Sequence, residues 1–138
     1  MKYALVIGAG NFGRHLIREL LDNECRVDVL EKDSDVANKL NGMTCRVIHN
    51  NAWNIASIPS LDIPSYDCCY LCIGPNIGMM ERAIRGLRQQ GARRIVVRSV
   101  RASDIPRCRE AGADQVICPP QYVGNMLAQE LVGTAVQG

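Results

Sequence analysis

The chain has no apolar run long enough to cross a bilayer. Its longest uncharged stretches, 49–61 and 68–80, are broken by Pro or Gly and fall short of the ~20 residues a spanning helix needs, so direct membrane insertion is not expected. Aromatic residues are scarce: one Phe, one Trp and four Tyr give no stacking platform for single-stranded bases, and no nucleic-acid partner is expected. Histidines are scarcer, and neither His15 nor His49 sits in a catalytic pattern. The short apolar run behind Lys2 is followed at once by Gly8, Gly10 and Arg14, which rules out a signal-peptide core. The seven cysteines are an odd number scattered through element-like segments, which favours reduced thiols and a cytoplasmic location.

What is present is an ordinary globular composition. The 138 residues are 47% hydrophobic and 22% charged, with a net charge of +2. That length suits one domain, which buries roughly two-thirds of its unfolded surface and needs no disulfide staples. Apolar runs of strand length alternate with helix-length periodic segments from end to end. Strands are expected at 3–7, 26–31, 46–49, 67–73, 94–98 and 115–118, and helices at 10–21, 34–40, 76–90, 103–110 and 123–132. The last helix is read from Val123, Leu127 and Leu131, which recur every four residues. Continuously apolar strands belong to parallel sheets covered on both faces. The fold class is therefore α/β: a Rossmann-like, doubly wound, six-stranded parallel sheet with strand order 3-2-1-4-5-6.

Between the first strand and the first helix stands Gly8-Ala9-Gly10-Asn11-Phe12-Gly13, a G-x-G-x-x-G in the strand-turn-helix context that gives the pattern meaning. Gly8 allows a tight turn, Gly10 lets the backbone approach a diphosphate, and Gly13 lets the helix pack closely on the strand. Free N–H groups near Asn11 and Phe12, with the helix dipole, complete an anion site; the alternative is a turn that binds nothing. Glu31 ends the second strand, where a carboxylate can accept from both ribose hydroxyls and repel a 2′-phosphate. NAD or an adenine nucleotide is thereby favoured over NADP, with Arg14 and Lys32 near enough to temper the preference. Glu31 also reads, alternatively, as an exposed strand-end charge.

Cys69-Tyr70-Leu71-Cys72 has the C-x-x-C spacing, but residues three apart on a strand point to opposite faces, and buried thiols are the better reading than a metal site. Charge is uneven. Residues 1–75 carry seven basic and nine acidic side chains, whereas 82–109 carry nine arginines against Asp104 alone. That block offers either an anionic partner surface or, for Arg82, Arg85 and Arg88, a solvated helix face. Arg98 stands apart, at the carboxyl end of a strand, where α/β sheets place ligands.

These residues together resemble the nucleotide-binding domain of regulators of potassium conductance, the RCK or TrkA-N domain. The resemblance runs from 6–14 through Val47-Ile48, Asn51-Ala52, Ile73-Gly74, Asn76 and Val97-Arg98 to Ala111-Gly112-Ala113-Asp114-Gln115-Val116-Ile117 with Pro119-Pro120. It implies a non-enzymatic cytoplasmic module, at most peripheral to the inner face of the membrane, that binds NAD or NADH, or alternatively ATP, ADP or AMP. The module would form a homodimer or larger ring and control a membrane potassium channel or transporter subunit. By the same resemblance, Gly8, Gly10, Asn11, Phe12 and Gly13 hold the diphosphate and Glu31 the ribose. Asn51 and Ala52 surround the adenine, and Ile73, Gly74 and Asn76 form the far side of the nucleotide. Asn11 stands where many relatives carry Arg, which weakens a preference for ATP, and Gln121 stands where Glu is common, which weakens a metal role. The expected organisation is a single nucleotide-binding domain over 1–138 without the C-terminal regulatory domain. Two other contexts fit the same module: a dehydrogenase lacking its substrate domain, and a fusion to another effector such as a phosphoesterase.

Overall fold

Alternation of strand and helix is realised in chain order as β1 (Tyr3–Ile7), α1 (Asn11–Asp22), β2 (Arg26–Glu31), α2 (Ser34–Asn38), β3 (Arg46–His49), β4 (Cys68–Leu71), α3 (Ile77–Gln89), β5 (Ile95–Arg98), α4 (Ile105–Ala111), β6 (Gln115–Ile117) and α5 (Pro119–Leu131). The computed structural model describes residues 1–50, 55, 58 and 61–133. All strand pairs are parallel, and their order is β3-β2-β1-β4-β5-β6. The chain therefore winds outward from β1 to β3 and returns to β4 on the other side. This reversal opens a crevice at the carboxyl ends of β1 and β4.

Strand alternation divides the core. Leu5 and Ile7 point to one face, where Met80, Ala83, Ile84 and Leu87 of α3 and Cys108 of α4 cover them. Val6, Val27 and Val29 point to the other face, against Ile17 and the half-buried Phe12, Leu16 and Leu20 of α1. β4 leaves the ladder at Leu71, two residues before its apolar run ends, because the chain is already turning toward Gly74-Pro75. α5 begins at Pro119, four residues ahead of the periodic pattern. Prolines fit the first turn of a helix, where no N–H has an intrahelical partner. Its expected apolar stripe is not core, for Val123, Leu127 and Leu131 are 45, 57 and 90% exposed.

The arginine-rich segment is largely bound to the protein itself. Arg88, expected on a solvated face, is half-buried and donates from Nε to the Gly112 carbonyl at 2.7 Å and from Nη2 to the Asp114 carboxylate. Asp114 also accepts from the Ile95 N–H at 2.7 Å, where β5 begins. Gly112, at φ 122°, ends α4, and a Cβ there would meet the Arg88 Cγ at 3.0 Å. The Gly-Ala-Asp stretch thus ties α3, α4 and β5 together. Arg93 pairs with Asp67, Arg107 with Glu81, and Arg94 with Gln115, so the positive block is not one free surface.

A polar knot that the sequence did not single out lies on β2. Asp28, 2% exposed, accepts on one carboxylate oxygen from Tyr3, from Tyr66 at 2.6 Å and from Arg46 at 2.8 Å. Burial pushes its pKa up, but the Arg46, Tyr3 and Tyr66 hydrogen bonds outweigh this and hold it below the ordinary value. Burial and the same hydrogen bond raise the Tyr66 pKa. A carboxyl depressed in the folded state stabilises above its unfolded pKa, about 3.9, and that stability is lost as pH falls through the lower folded value. Asp28→Asn is therefore expected to cost about 2 kcal/mol at pH 7 and to flatten the acid limb of stability against pH, as read by urea melts between pH 2 and 7. An unchanged acid limb would remove Asp28 from that role.

Candidate functional site

β1 ends in the crevice with a sharp bend. Gly8 has φ 94°, a left-handed conformation that side chains disfavour, and a Cβ on it would meet the Cys72 carbonyl oxygen at 2.6 Å. The bend is fixed on both sides: the Gly8 N–H donates to the Leu30 carbonyl at 2.9 Å, and the Cys72 N–H to that of Ile7 at 2.7 Å. Two residues on, Gly10 is the N-cap of α1, and among the described residues no side chain caps the first turn. The N–H groups of Asn11, Phe12 and Gly13 thus lack the intrahelical partners that later residues have. The two other helices that open onto the crevice carry their own caps. Asp33 accepts from Asp35 and Val36 at the start of α2, and Asn76 accepts from Met79 at the start of α3. Of these three helix starts, α1 is the one left for an outside acceptor.

Glu31 is not an exposed strand-end charge. It is 8% exposed and uses both carboxylate oxygens, accepting at 2.7 Å from the Ala9 N–H inside the glycine loop and at 2.9 Å from the Asp33 N–H. The carboxylate thereby ties the loop to the start of α2. Each oxygen keeps a further lone pair for a ribose hydroxyl. Opposite, Arg98 extends from the end of β5. Its Nη2 donates to the Cys72 and Ile73 carbonyls at 3.2 and 2.9 Å, and its guanidinium lies 5.8 Å from the centre of the Phe12 ring.

Between these groups lies a cavity of about 450 Å³, within the range of small-molecule sites. It brings together Gly8, Gly10, Glu31, Lys32, Ile73, Gly74, Asn76 and Arg98. Gly13 does not line it but packs beneath the loop, where a Cβ would meet the Gly8 carbonyl oxygen at 2.1 Å. Asn11 and Phe12 do not line it either: the Asn11 side chain is exposed, and the Phe12 ring turns toward Arg98. Asn51 and Ala52 lie outside the described residues. Three further lining residues belong to no nucleotide-binding motif in the sequence: Val36 and Met79, which add apolar wall on α2 and α3, and Cys72. Val36, four residues before the buried Leu40, carries the helical spacing that marks an inward face; Met79 is exposed and its spacing gives no such signal. Burial pushes the Cys69 and Cys72 thiols up to about 12, which keeps them protonated and unreactive. Among the described residues no three His, Cys, Asp or Glu side chains converge as metal ligands, and no helix is long and apolar enough to cross a membrane.

Comparison with known proteins agrees with this fold. The chain is 23% identical over 135 residues to Ktr system potassium uptake protein A of Vibrio alginolyticus, covering 98% of this chain and 61% of that protein. The chain thus spans about three-fifths of that relative's length. Its fold superposes on the TrkA-N domain of the inner membrane protein ybaL of Escherichia coli, with TM-score 0.81, 21% identity and coverage of 94% and 96% of the two chains. It also matches the NAD(P)-binding domain of an exopolyphosphatase-related protein of Archaeoglobus fulgidus, with TM-score 0.81, 19% identity and coverage of 97% and 100%. The GsuK channel bound to NAD gives TM-score 0.75 at 18% identity over 88% of this chain and 22% of that one. The sequence profile of the TrkA-N domain matches residues 4–119, and the chain belongs to the TrkA-N domain family.

Proposed function

We propose that the domain is a non-catalytic, cytoplasmic regulatory module that binds NAD(H) or an adenine nucleotide in the β1–β4 crevice and conveys its ligand state to a potassium-transport partner. The observation that carries this reading is the pairing of an uncapped α1 start, behind the Gly8 bend, with the buried Glu31 across one cavity. An uncapped helix start favours anions, and a carboxylate on β2 favours ribose. Similar proteins support it: one is a potassium uptake protein and one a channel bound to NAD. Transmission to a partner requires that the ligand bind two conformations of the assembly with different affinity, and a homodimer or ring would supply them. The expected organisation of 1–138 as one nucleotide-binding unit is part of the same proposal. A second context, the same module serving a phosphoesterase, is favoured by its likeness to the domain of an exopolyphosphatase-related protein.

The test is titration calorimetry with NAD, NADH, ATP, ADP and AMP, together with mass spectrometry of ligand retained through purification. Binding of at least one is expected, and no binding to any of the five sinks the proposal. Glu31→Ala is expected to weaken the bound nucleotide by about 1–3 kcal/mol, the scale of a lost hydrogen bond to a charged group. It should also loosen the glycine loop, read as faster hydrogen exchange at Ala9. Unaltered affinity in the variant would take Glu31 out of the site.

A further inference from the structure

Two cations line the cavity, Lys32 next to Glu31 and Arg98 on the far side of the β1–β4 crevice. The Arg98 guanidinium is under-used. Of the five donors such a group carries, Nη2 serves two neutral carbonyls. Nε is shielded from water and has no hydrogen-bond partner among the described residues. Among the described residues no carboxylate answers its charge there either, since the acids lining the cavity, Glu31 and Asp33, accept from backbone N–H groups on the β2 side. A half-buried cation with a shielded donor and no anion is costly unless an anion arrives.

The position of Arg98 says which anion. Its Nη2 holds the Cys72 carbonyl, the same atom against which Gly8 is bent. Its face lies against the ring of Phe12, whose backbone N–H belongs to the uncapped turn of α1. One residue thus joins the helix start to the guanidinium. We propose that Arg98 is the side-chain counter-charge for the ligand's diphosphate, taking phosphate oxygens on its free donors while the first turn of α1 takes others. The planar fork suits phosphate oxygens better than a lysine would. This assignment rests on the nucleotide reading above and makes it charge-selective: affinity depends on the diphosphate through Arg98, and on the nucleoside through Glu31.

Calorimetric titration of the full chain, Arg98→Met and Arg98→Lys with adenosine, AMP, ADP and NAD tests it, with melting temperatures measured alongside. Arg98→Met is expected to lose at least tenfold in affinity for ADP and NAD and to bind adenosine within twofold of the parent. Arg98→Lys should show a smaller loss in the same order, and it carries the test if the methionine variant does not fold. A loss confined to ADP supports the assignment for a terminal phosphate, and a loss shared with NAD supports it for a bridging one. Equal losses for adenosine and ADP would mean that Arg98 only braces the cavity wall, and unchanged affinity for ADP and NAD would overturn the assignment outright. If the parent chain binds none of these four and neither ATP nor NADH, the nucleotide reading itself fails, an outcome distinct from the other two.

Discussion

Gly10→Val is expected to lower nucleotide affinity at least a hundredfold, about 3 kcal/mol, and to leave the melting temperature nearly unchanged. The two halves of that expectation have separate causes. Gly10 has φ −65° and ψ −165°, extended backbone open to any residue, and a Cβ built on it finds nothing within 4 Å. The folded domain therefore has no objection to the side chain. The space it would fill, however, is the cavity in front of the first turn of α1, where a diphosphate must come close to the N–H groups. Calorimetry and a thermal melt on the same preparation check both halves; a variant that melts normally and keeps its affinity would show that the ligand does not approach there.

Gly13→Ala is expected to do the reverse, damaging the fold itself. In most helices the exchange of Gly for Ala gains about 1 kcal/mol. Here the added Cβ would lie 2.1 Å from the Gly8 carbonyl oxygen and 3.1 Å from its carbon, and both obstacles are backbone. Either α1 moves away from β1, or the Gly8 bend, already close to Cys72, gives way. Overpacking typically costs 1–3 kcal/mol and sometimes more, and a clash with backbone belongs at the upper end, about 3 kcal/mol. The melting temperature should fall by about 10 °C. Gly86→Ala on α3 is the internal control, since nothing lies within 4 Å of the Cβ it adds; it should hold or raise the melting temperature. Equal melts for Gly13→Ala and the parent would contradict the close helix-strand contact.

These two variants show what kind of information a glycine motif holds. The spacing of Gly8, Gly10 and Gly13 marked all three as special, and the structure gives each a different physical reason: a left-handed bend, an open approach and a close packing contact. Glu31 was legible as an acid at the end of β2, but its bonds to Ala9 and Asp33 were not, because they depend on how the loop returns over the strand ends. Arg88 has the sequence pattern of a solvent-facing residue, because a charged residue on an amphipathic helix ordinarily faces water. Its partners, Gly112 and Asp114, lie 24 and 26 residues away, beyond the reach of helical periodicity. The role of Asp28 is invisible in the sequence for a similar reason: its partners Tyr3, Arg46 and Tyr66 come from three other segments.

The sequence by itself determined the alternation of elements, the parallel six-stranded sheet and the location of the crevice, because periodicity, the glycine bend and right-handed crossovers act locally or through general rules of chain winding. It also determined which residue types stand at the strand ends. Only the tertiary structure decided which of those side chains converge. It placed Gly8, Glu31 and Arg98 around one cavity, turned Phe12 away from it, and left Val123, Leu127 and Leu131 outside the core despite their regular spacing. It also divided the arginine block, pairing Arg88 with Asp114, Arg93 with Asp67, and both Arg85 and Arg107 with Glu81. The physical reason is common to all of these: hydrogen bonds, charge pairing and side-chain cover depend on distances between segments remote in sequence, and those distances exist only once the sheet has brought the segments together.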